Sequence, residues 1–374
     1  AISRPLQTAE ALTDFDRGMN SPAKRKPLIM SLMLDEIYEQ PQAVAAALER
    51  GNGSASALAQ DLREQNIRHV VIAARGTSDH AAVYAKYLFE IVCGVPVTLA
   101  APSVFTLYDA RVDFAGCLVL GISQSGQAAD VVQTLSAARS SGAITACITN
   151  QENSPLTTVS DHVLLCHAGE EKSVAATKTY TTSLAVVALV AGLWANNNTL
   201  LNSLRAVPDL IRTTLSLDEE IAQKVERYRY MPECAVLARG LNQATAMEAA
   251  LKMIETSYLI AKAYSMADFL HGPVAIVSQG FPCFLYAPDG RTYPAMIDLA
   301  LKLKERDAEL IIAAHSSEIL ELATTPIALP ALSDELVSPL LCIVPGQLWA
   351  CHLSHARGHN PDKPRGLSKV TITR

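Results

Sequence analysis

Apolar positions between residues 30 and 63 recur at helical spacing, at Leu32, Ile37, Val44, Leu48, Leu58 and Leu62, which predicts two introductory helices. A break falls at Gln40-Pro41, because the residue before a proline is steered away from helical dihedrals. From residue 69 the period changes. His69-Val70-Val71-Ile72-Ala73-Ala74 is a short β-branched run that stops at Gly76, and a helix-like stretch over 80–92 follows it. Further strand-like runs lie at 95–99, 117–121, 144–149 and 162–166, with a helix over 129–140 and a long apolar helix over 179–195. Apolar strands alternating with helices predict βαβ units and buried parallel sheets flanked by helices.

The pattern then starts again after about Asp218. Ala74-Arg75-Gly76 returns as Ala238-Arg239-Gly240, and the strand led by Gly116 returns as one led by Gly280, 164 residues later in both cases. Two echoes in one register predict duplication of an α/β unit. In the first copy the strand leads into Ser123-Gln124-Ser125-Gly126, in the second into Pro288-Asp289-Gly290, so only the first keeps a hydroxyl-rich loop. The expected organisation is a flexible lead over 1–29, a first domain with its introductory helices over 30–217, a second over 218–355 and a tail over 356–374. The lead ends in the polar cluster Ser21-Pro22-Ala23-Lys24-Arg25-Lys26-Pro27 and is assigned no fold.

At 374 residues, 49% hydrophobic and 18% charged, the chain has the composition of a globular protein with material for two cores. Its formal charge of −6 argues against nucleic acid or an anionic membrane as partner, since neither field would attract it. An anionic ligand must then be captured locally. Cys93, Cys117, Cys147, Cys166, Cys234, Cys283, Cys342 and Cys351 include no CxxC pair and fall mostly in apolar runs, which reads as reduced core cysteine. The longest apolar run, 184–195, is shorter than the about 20 residues a bilayer requires. Charges at Arg4, Glu10, Asp14, Asp16 and Arg17 leave no signal-like apolar segment, so the expected location is cytoplasmic.

The chemistry concentrates at strand-to-helix turns. Ser123-Gln124-Ser125-Gly126 follows an apolar strand and opens a helix, where backbone N–H groups, two hydroxyls and an amide can cradle a phosphate without Lys or Arg. Gly76-Thr77-Ser78 has the same context. Either cluster alone is also what an ordinary helix N-cap looks like, but two such turns on one sheet point to the crevice at the carboxyl ends of its strands. The run from Glu170 to Thr182 precedes the long apolar helix and offers a third helix N-terminus. His352, His355 and His359 stand at near-helical spacing with no carboxylate nearby in sequence and are read as non-ligands. Neither a metal nor a cofactor is called for.

Six ordered motifs carry a resemblance. They are Gly76-Thr77-Ser78-x-His80-Ala81, Ser123 to Gly126, Val174-Ala175-x-Thr177-Lys178-x-x-Thr181-Thr182, Glu248-x-Ala250-Leu251-Lys252-x-x-Glu255-x-Ser257-Tyr258, His271-Gly272-Pro273 and Asp362-x-Pro364-Arg365-x-Leu367-x-Lys369. From about Met30 to its end the chain resembles the sugar-isomerase (SIS) domain family, in particular the isomerase half of glucosamine-6-phosphate synthase. The resemblance implies two tandem SIS domains, each a flavodoxin-like three-layer sandwich. It implies Glu255 as the base moving a proton between C1 and C2 of an open-chain phosphosugar, His271 as ring-opening acid/base reaching a neighbouring subunit, and Lys369 as an amine for imine chemistry at C2. Lys252 shares the helix face of Glu255 and would orient or charge-balance it. Gly76, Thr77, Ser78, Ser123, Gln124 and Ser125 would hold the phosphate, with Val174, Ala175 and Glu248 as further substrate contacts. A homodimer is implied.

The motifs depart from the family at Gln127-Ala128, where the synthases have Glu-Thr, at Ala176 in place of serine and at Ile254 in place of lysine. One phosphate-facing hydroxyl is thus lost. The glutaminase that would supply ammonia has no counterpart in this sequence, so the expected reaction is the reverse one, conversion of glucosamine 6-phosphate to fructose 6-phosphate and ammonia. The competing expectations are another 6-phosphosugar isomerase or deglycase, a synthase-isomerase-like protein, and a non-catalytic phosphosugar sensor. A sensor would need the Ser-rich loop but not Glu255, His271 or Lys369.

Overall fold

The computed structural model describes residues 31–369; the expected lead over 1–29 lies outside them. Two short-loop-linked helices, α1 (Leu32–Tyr38) and α2 (Gln40–Glu64), come first. Ser31 caps α1 with its hydroxyl, and Pro41 occupies the first turn of α2, where a missing N–H costs nothing. The break is therefore one residue earlier than the Gln40-Pro41 step suggests.

The first sheet is built from β1 (His69–Ala73), β2 (Val97–Leu99), β3 (Cys117–Ile122), β4 (Ile144–Thr149) and β5 (His162–Leu165). Between its strands run α3 (Thr77–Val92), α4 (Ser103–Thr106), α5 (Ala129–Ser140) and α6 (Pro155–Thr158), and α7 (Lys178–Trp194), α8 (Asn198–Leu215) and α9 (Asp218–Lys224) follow. The second sheet contains β6 (Glu233–Ala238), β7 (Ile260–Ser265), β8 (Pro282–Ala287), β9 (Glu309–Ala314) and β10 (Thr325–Ala328). Its helices are α10 (Gln243–Ser257), α11 (Met266–Leu270), α12 (Tyr293–Lys304), α13 (Ser317–Leu320) and the terminal α14 (Ser338–Ala356).

The strand orders are β2-β1-β3-β4-β5 and β7-β6-β8-β9-β10, all parallel. Strand for strand these are one topology, the flavodoxin-like order. The duplicated glycines share a conformation as well as a spacing, since Gly76 and Gly240 have φ of 56° and 62°, and Gly116 and Gly280 have 72° and 76°. A Cβ would strain all four.

Alternation along each strand divides the core. One face of both sheets, through residues such as Val70, Ile72, Leu120, Val236, Phe284 and Ile311, feeds a single apolar cluster filled by α2, α3, α7, α10 and α14. The outer face of the first sheet packs with Val131 and Leu135 of α5, and that of the second with Met296, Leu299 and Leu303 of α12. Helix α10 of the second copy consequently packs against α3 of the first, and this contact brings second-copy side chains to the first-copy cleft.

The segment Glu335–Ala356 is long and apolar enough to cross a membrane, but 94% of its apolar window is buried inside protein. Its composition is that of a core helix. His352 within it has a carboxylate partner after all, Asp218 at 2.5 Å from its Nε2, 134 residues away in sequence.

Candidate active site

The order of the first sheet reverses between β1 and β3, which is where a doubly wound sheet opens a crevice at its carboxyl edge. The loop after β1 contributes Arg75, Gly76, Thr77 and Ser78 to a cleft of about 370 Å3, and the loop after β3 contributes Ser123, Gln124 and Ser125. Val174 and Ala176 line it ahead of α7, Lys252 and Glu255 reach it from α10, and Leu367, Ser368 and Lys369 close it from the tail.

The N-cap residues of α3 and α5 are Gly76 and Ala128, and neither makes a side-chain cap. The hydroxyls of Ser123 and Ser125 instead accept from Gly126 N at 3.2 Å and Gln127 N at 3.3 Å, inside the turn before α5. The hydroxyl clusters are therefore not ordinary N-caps: neither helix start is closed by its N-cap side chain, and the one first-turn N–H of α5 with a side-chain acceptor, Val131 N, donates to Asp130 Oδ1 at 2.9 Å. Gly126 fixes the turn. Its φ is +63° and a Cβ there would lie 2.1 Å from Ser154 Oγ, the residue that caps α6.

Under this loop lies a buried charge network. Lys252 is 1% exposed, and its Nζ stands 2.7 Å from Glu255 Oε2 and 3.3 Å from Glu248 Oε1. Burial alone would lower its pKa, but the two carboxylates outweigh that and hold the ammonium above its ordinary value. Glu248, 0% exposed, also pairs with His80 Nδ1 at 2.7 Å and accepts from Thr77 Oγ1 at 3.1 Å. Lys252 Nζ donates to the same Thr77 hydroxyl at 3.1 Å. Thr77 thus lines the cleft with its hydroxyl proton already taken by Glu248, which leaves its backbone, not its side chain, for an anion. Glu248 and the buried Ala175 are not among the residues lining the cleft; Glu248 supports Lys252 from beneath.

Lys369 Nζ donates to Glu171 Oε2 at 2.8 Å and to Ser173 O at 2.7 Å. Glu171, fully buried, also accepts from Thr177 N at 2.9 Å and Thr179 N at 3.1 Å at the start of α7, and from Thr179 Oγ1 at 2.7 Å. Burial pushes the Glu171 carboxyl up, but Lys369 and these donors more than reverse it and its pKa is lowered. Arg75 adds a cation that the strand-and-turn pattern did not single out, paired with Asp130 at 2.6 Å. Its place immediately before Gly76 in the repeated Ala-Arg-Gly was the available signal. A site free of Lys and Arg is thus not what the chain builds; it builds one whose cations each have a carboxylate.

His271 is exposed at the end of α11, where its N–H donates to Asp268 O at 3.1 Å, and it does not line this cleft. Two of the positions that depart from the resembled motifs, Ala128 and Ala176, both line it, whereas Ile254 is exposed. The departures therefore bear on the shape around a ligand and leave the Lys252–Glu255 pair intact.

The family model for the SIS domain matches residues 62–192 and 232–344, covering both sheets. The glutamine–fructose-6-phosphate aminotransferase (isomerizing) of Thermococcus kodakarensis is 34% identical over 351 residues, 91% of this chain and 58% of that protein. The chain thus spans less than two thirds of the length of the curated relatives it matches, 58% of this one. Among solved structures, a candidate phosphosugar isomerase from Silicibacter pomeroyi is 34% identical with a TM-score of 0.81, covering 89% of this chain and all of that one. The C-terminal domain of glucosamine-fructose-6-phosphate aminotransferase from Francisella tularensis is 29% identical with a TM-score of 0.81, covering 91% of this chain and all of its own.

Proposed function

Because this chain belongs to the SIS-domain family, we propose that its cleft carries out aldose–ketose chemistry on a 6-phosphosugar, most specifically the conversion of glucosamine 6-phosphate to fructose 6-phosphate and ammonia. The observation that carries this reading is that Glu255 and Lys369, a base and an amine from different parts of the chain, line the same cleft as the Ser123–Ser125 loop. The phosphate sits against that loop and the start of α5. The open-chain aldehyde then places C1 and C2 beside Glu255. Its carboxylate takes the C2 proton and returns it to C1 while a proton passes from the amine nitrogen to O1, so the aldehyde becomes a CH2OH group and the C2 amine an imine. Water, or Lys369 by imine exchange followed by water, then replaces the nitrogen and releases ammonia.

Lys252 holds Glu255 in place, 2.7 Å from its carboxylate, while Glu248 and His80 hold Lys252. The ion pair between Lys369 and Glu171 supports a second reading, plain aldose–ketose isomerisation in which the lysine only binds. Ammonia release from a panel of 6-phosphosugars separates the two. Glucosamine 6-phosphate should yield one ammonia per fructose 6-phosphate; turnover of a neutral aldose phosphate alone would remove the amine chemistry. The same assay tests a homodimer whose cleft is completed by His271 from a second copy. Mixed His271→Ala and Glu255→Gln subunits should regain activity that neither has alone, and no recovery places the ring-opening acid elsewhere.

A further inference from the structure

The tail that carries Lys369 is tied directly through Asp362, and indirectly through residues 172 and 173, to one short element that contributes nothing to the cleft lining, helix α1. Asp362 Oδ1 accepts from Ser31 Oγ at 3.0 Å and Met33 N at 2.9 Å, and its Oδ2 accepts from Leu32 N at 2.9 Å. One turn further along α1, Glu36 is 4% exposed and used by no step above. Its carboxylate accepts from Lys172 N and, at 3.2 and 3.3 Å, from Ser173 N. Ser173 O and Glu171 are the two acceptors that receive Lys369 Nζ. The contacts form a closed circuit, from the tail through Asp362 to α1, from α1 through Glu36 to residues 172 and 173, and from there through Lys369 back to the tail.

We propose that α1 is a splint for the tail and that Glu36 and Asp362 are positioning residues, which together set where the Lys369 amine stands in the cleft. The proposal rests on the reading of Lys369 as a group that acts on substrate. Burying Glu36 is costly, since burial and the neighbouring Glu171 both raise its pKa against the backbone donors that lower it. Two N–H groups elsewhere in a loop could be satisfied by a neutral acceptor; a carboxylate reaching both oxygens to one peptide N–H fixes that segment in direction as well as distance. Misplacing a reacting group by about 1 Å costs on the order of 100-fold in rate, so the splint should be visible in kcat.

Glu36→Ala removes both acceptor oxygens, Glu36→Gln keeps one, and Asp362→Asn weakens the other anchor. Each is compared with the wild-type chain by steady-state kinetics, by amide hydrogen exchange and by borohydride trapping of keto-sugar phosphate on Lys369. Glu36→Ala and Asp362→Asn should lower kcat about 10- to 100-fold with KM little changed, slow trapping at Lys369 equally, and loosen exchange in 170–173 and 362–369 only. Glu36→Gln should restore most of the loss. The double variant should be no worse than the worse single one, as for groups acting as a unit. Unchanged exchange in both segments overturns the splint, whether or not kcat falls. If the wild-type chain traps no sugar at Lys369 while Glu36→Ala still loosens 362–369, the splint stands and the role given to Lys369 falls. Should Glu36→Ala fail to fold, Asp362→Asn at the half-buried anchor decides the matter by the same measures.

Discussion

Glu255→Gln is expected to bind 6-phosphosugar with close to wild-type affinity and to move the proton between C1 and C2 at least about 100-fold more slowly. The two effects separate because the phosphate loop and the base come from different copies of the repeat. The loop over residues 123–126 belongs to the first sheet, while Glu255 stands on α10, which follows the first strand of the second. Glutamine has the same shape and keeps an oxygen to accept from Lys252, whose Nζ is 2.7 Å from the native carboxylate. What it lacks is a site that can take a proton from carbon. Deuterium incorporation at C1 and C2 in heavy water measures the step, and phosphosugar titration measures binding. Exchange retained at the wild-type rate would remove Glu255 from its role.

Lys252→Met is expected to be the most destabilising single change in the cleft. The ammonium is 1% exposed and touches a carboxylate, Glu248, that is 0% exposed, so its removal leaves buried negative charge whose remaining partners are His80 and Thr77. Breaking a buried ion pair from one side costs about 3–5 kcal/mol, measurable by chemical denaturation. Activity should fall as well, because Glu255 loses the cation that touches it. The pH dependence follows from the same pair. The folded-state pKa of Lys252 lies above its ordinary 10.5, so its contribution is complete below that pH and fades only as the solution becomes strongly alkaline. Lys252→Met should lack this alkaline loss, and a variant as stable as wild type at neutral pH would mean that the network is not charged as described.

Much of this was legible in the sequence, for identifiable reasons. Strands buried on both faces are continuous apolar runs, so β3 and β4 begin where the pattern places them. The duplication was readable because Gly76, Gly116, Gly240 and Gly280 all require positive φ and so keep their spacing. Helix α3 begins at Thr77 and not at residue 80, since Gly76 turns the chain directly into the helix and the polar Ser78-Asp79-His80 hides the first turn's period. The partners were not legible. Glu171 meets Lys369 across 198 residues, His80 meets Glu248 across 168, and Glu36 meets Ser173 across 137. Pairs at such distances leave no local spacing to read. Thr77 shows the cost, since its place in a motif suggests a phosphate-facing hydroxyl, and only the fold shows that hydroxyl committed to Glu248 and Lys252.

The most direct test of the account is a crystal structure of the Glu255→Gln chain with glucosamine 6-phosphate. The phosphate should lie on the backbone amides and hydroxyls of residues 123–126 at the start of α5, with C1 and C2 facing residue 255 and the Lys369 amine on the sugar's nitrogen-bearing side. A phosphate bound anywhere else, or a sugar whose C2 faces away from residue 255, would contradict it.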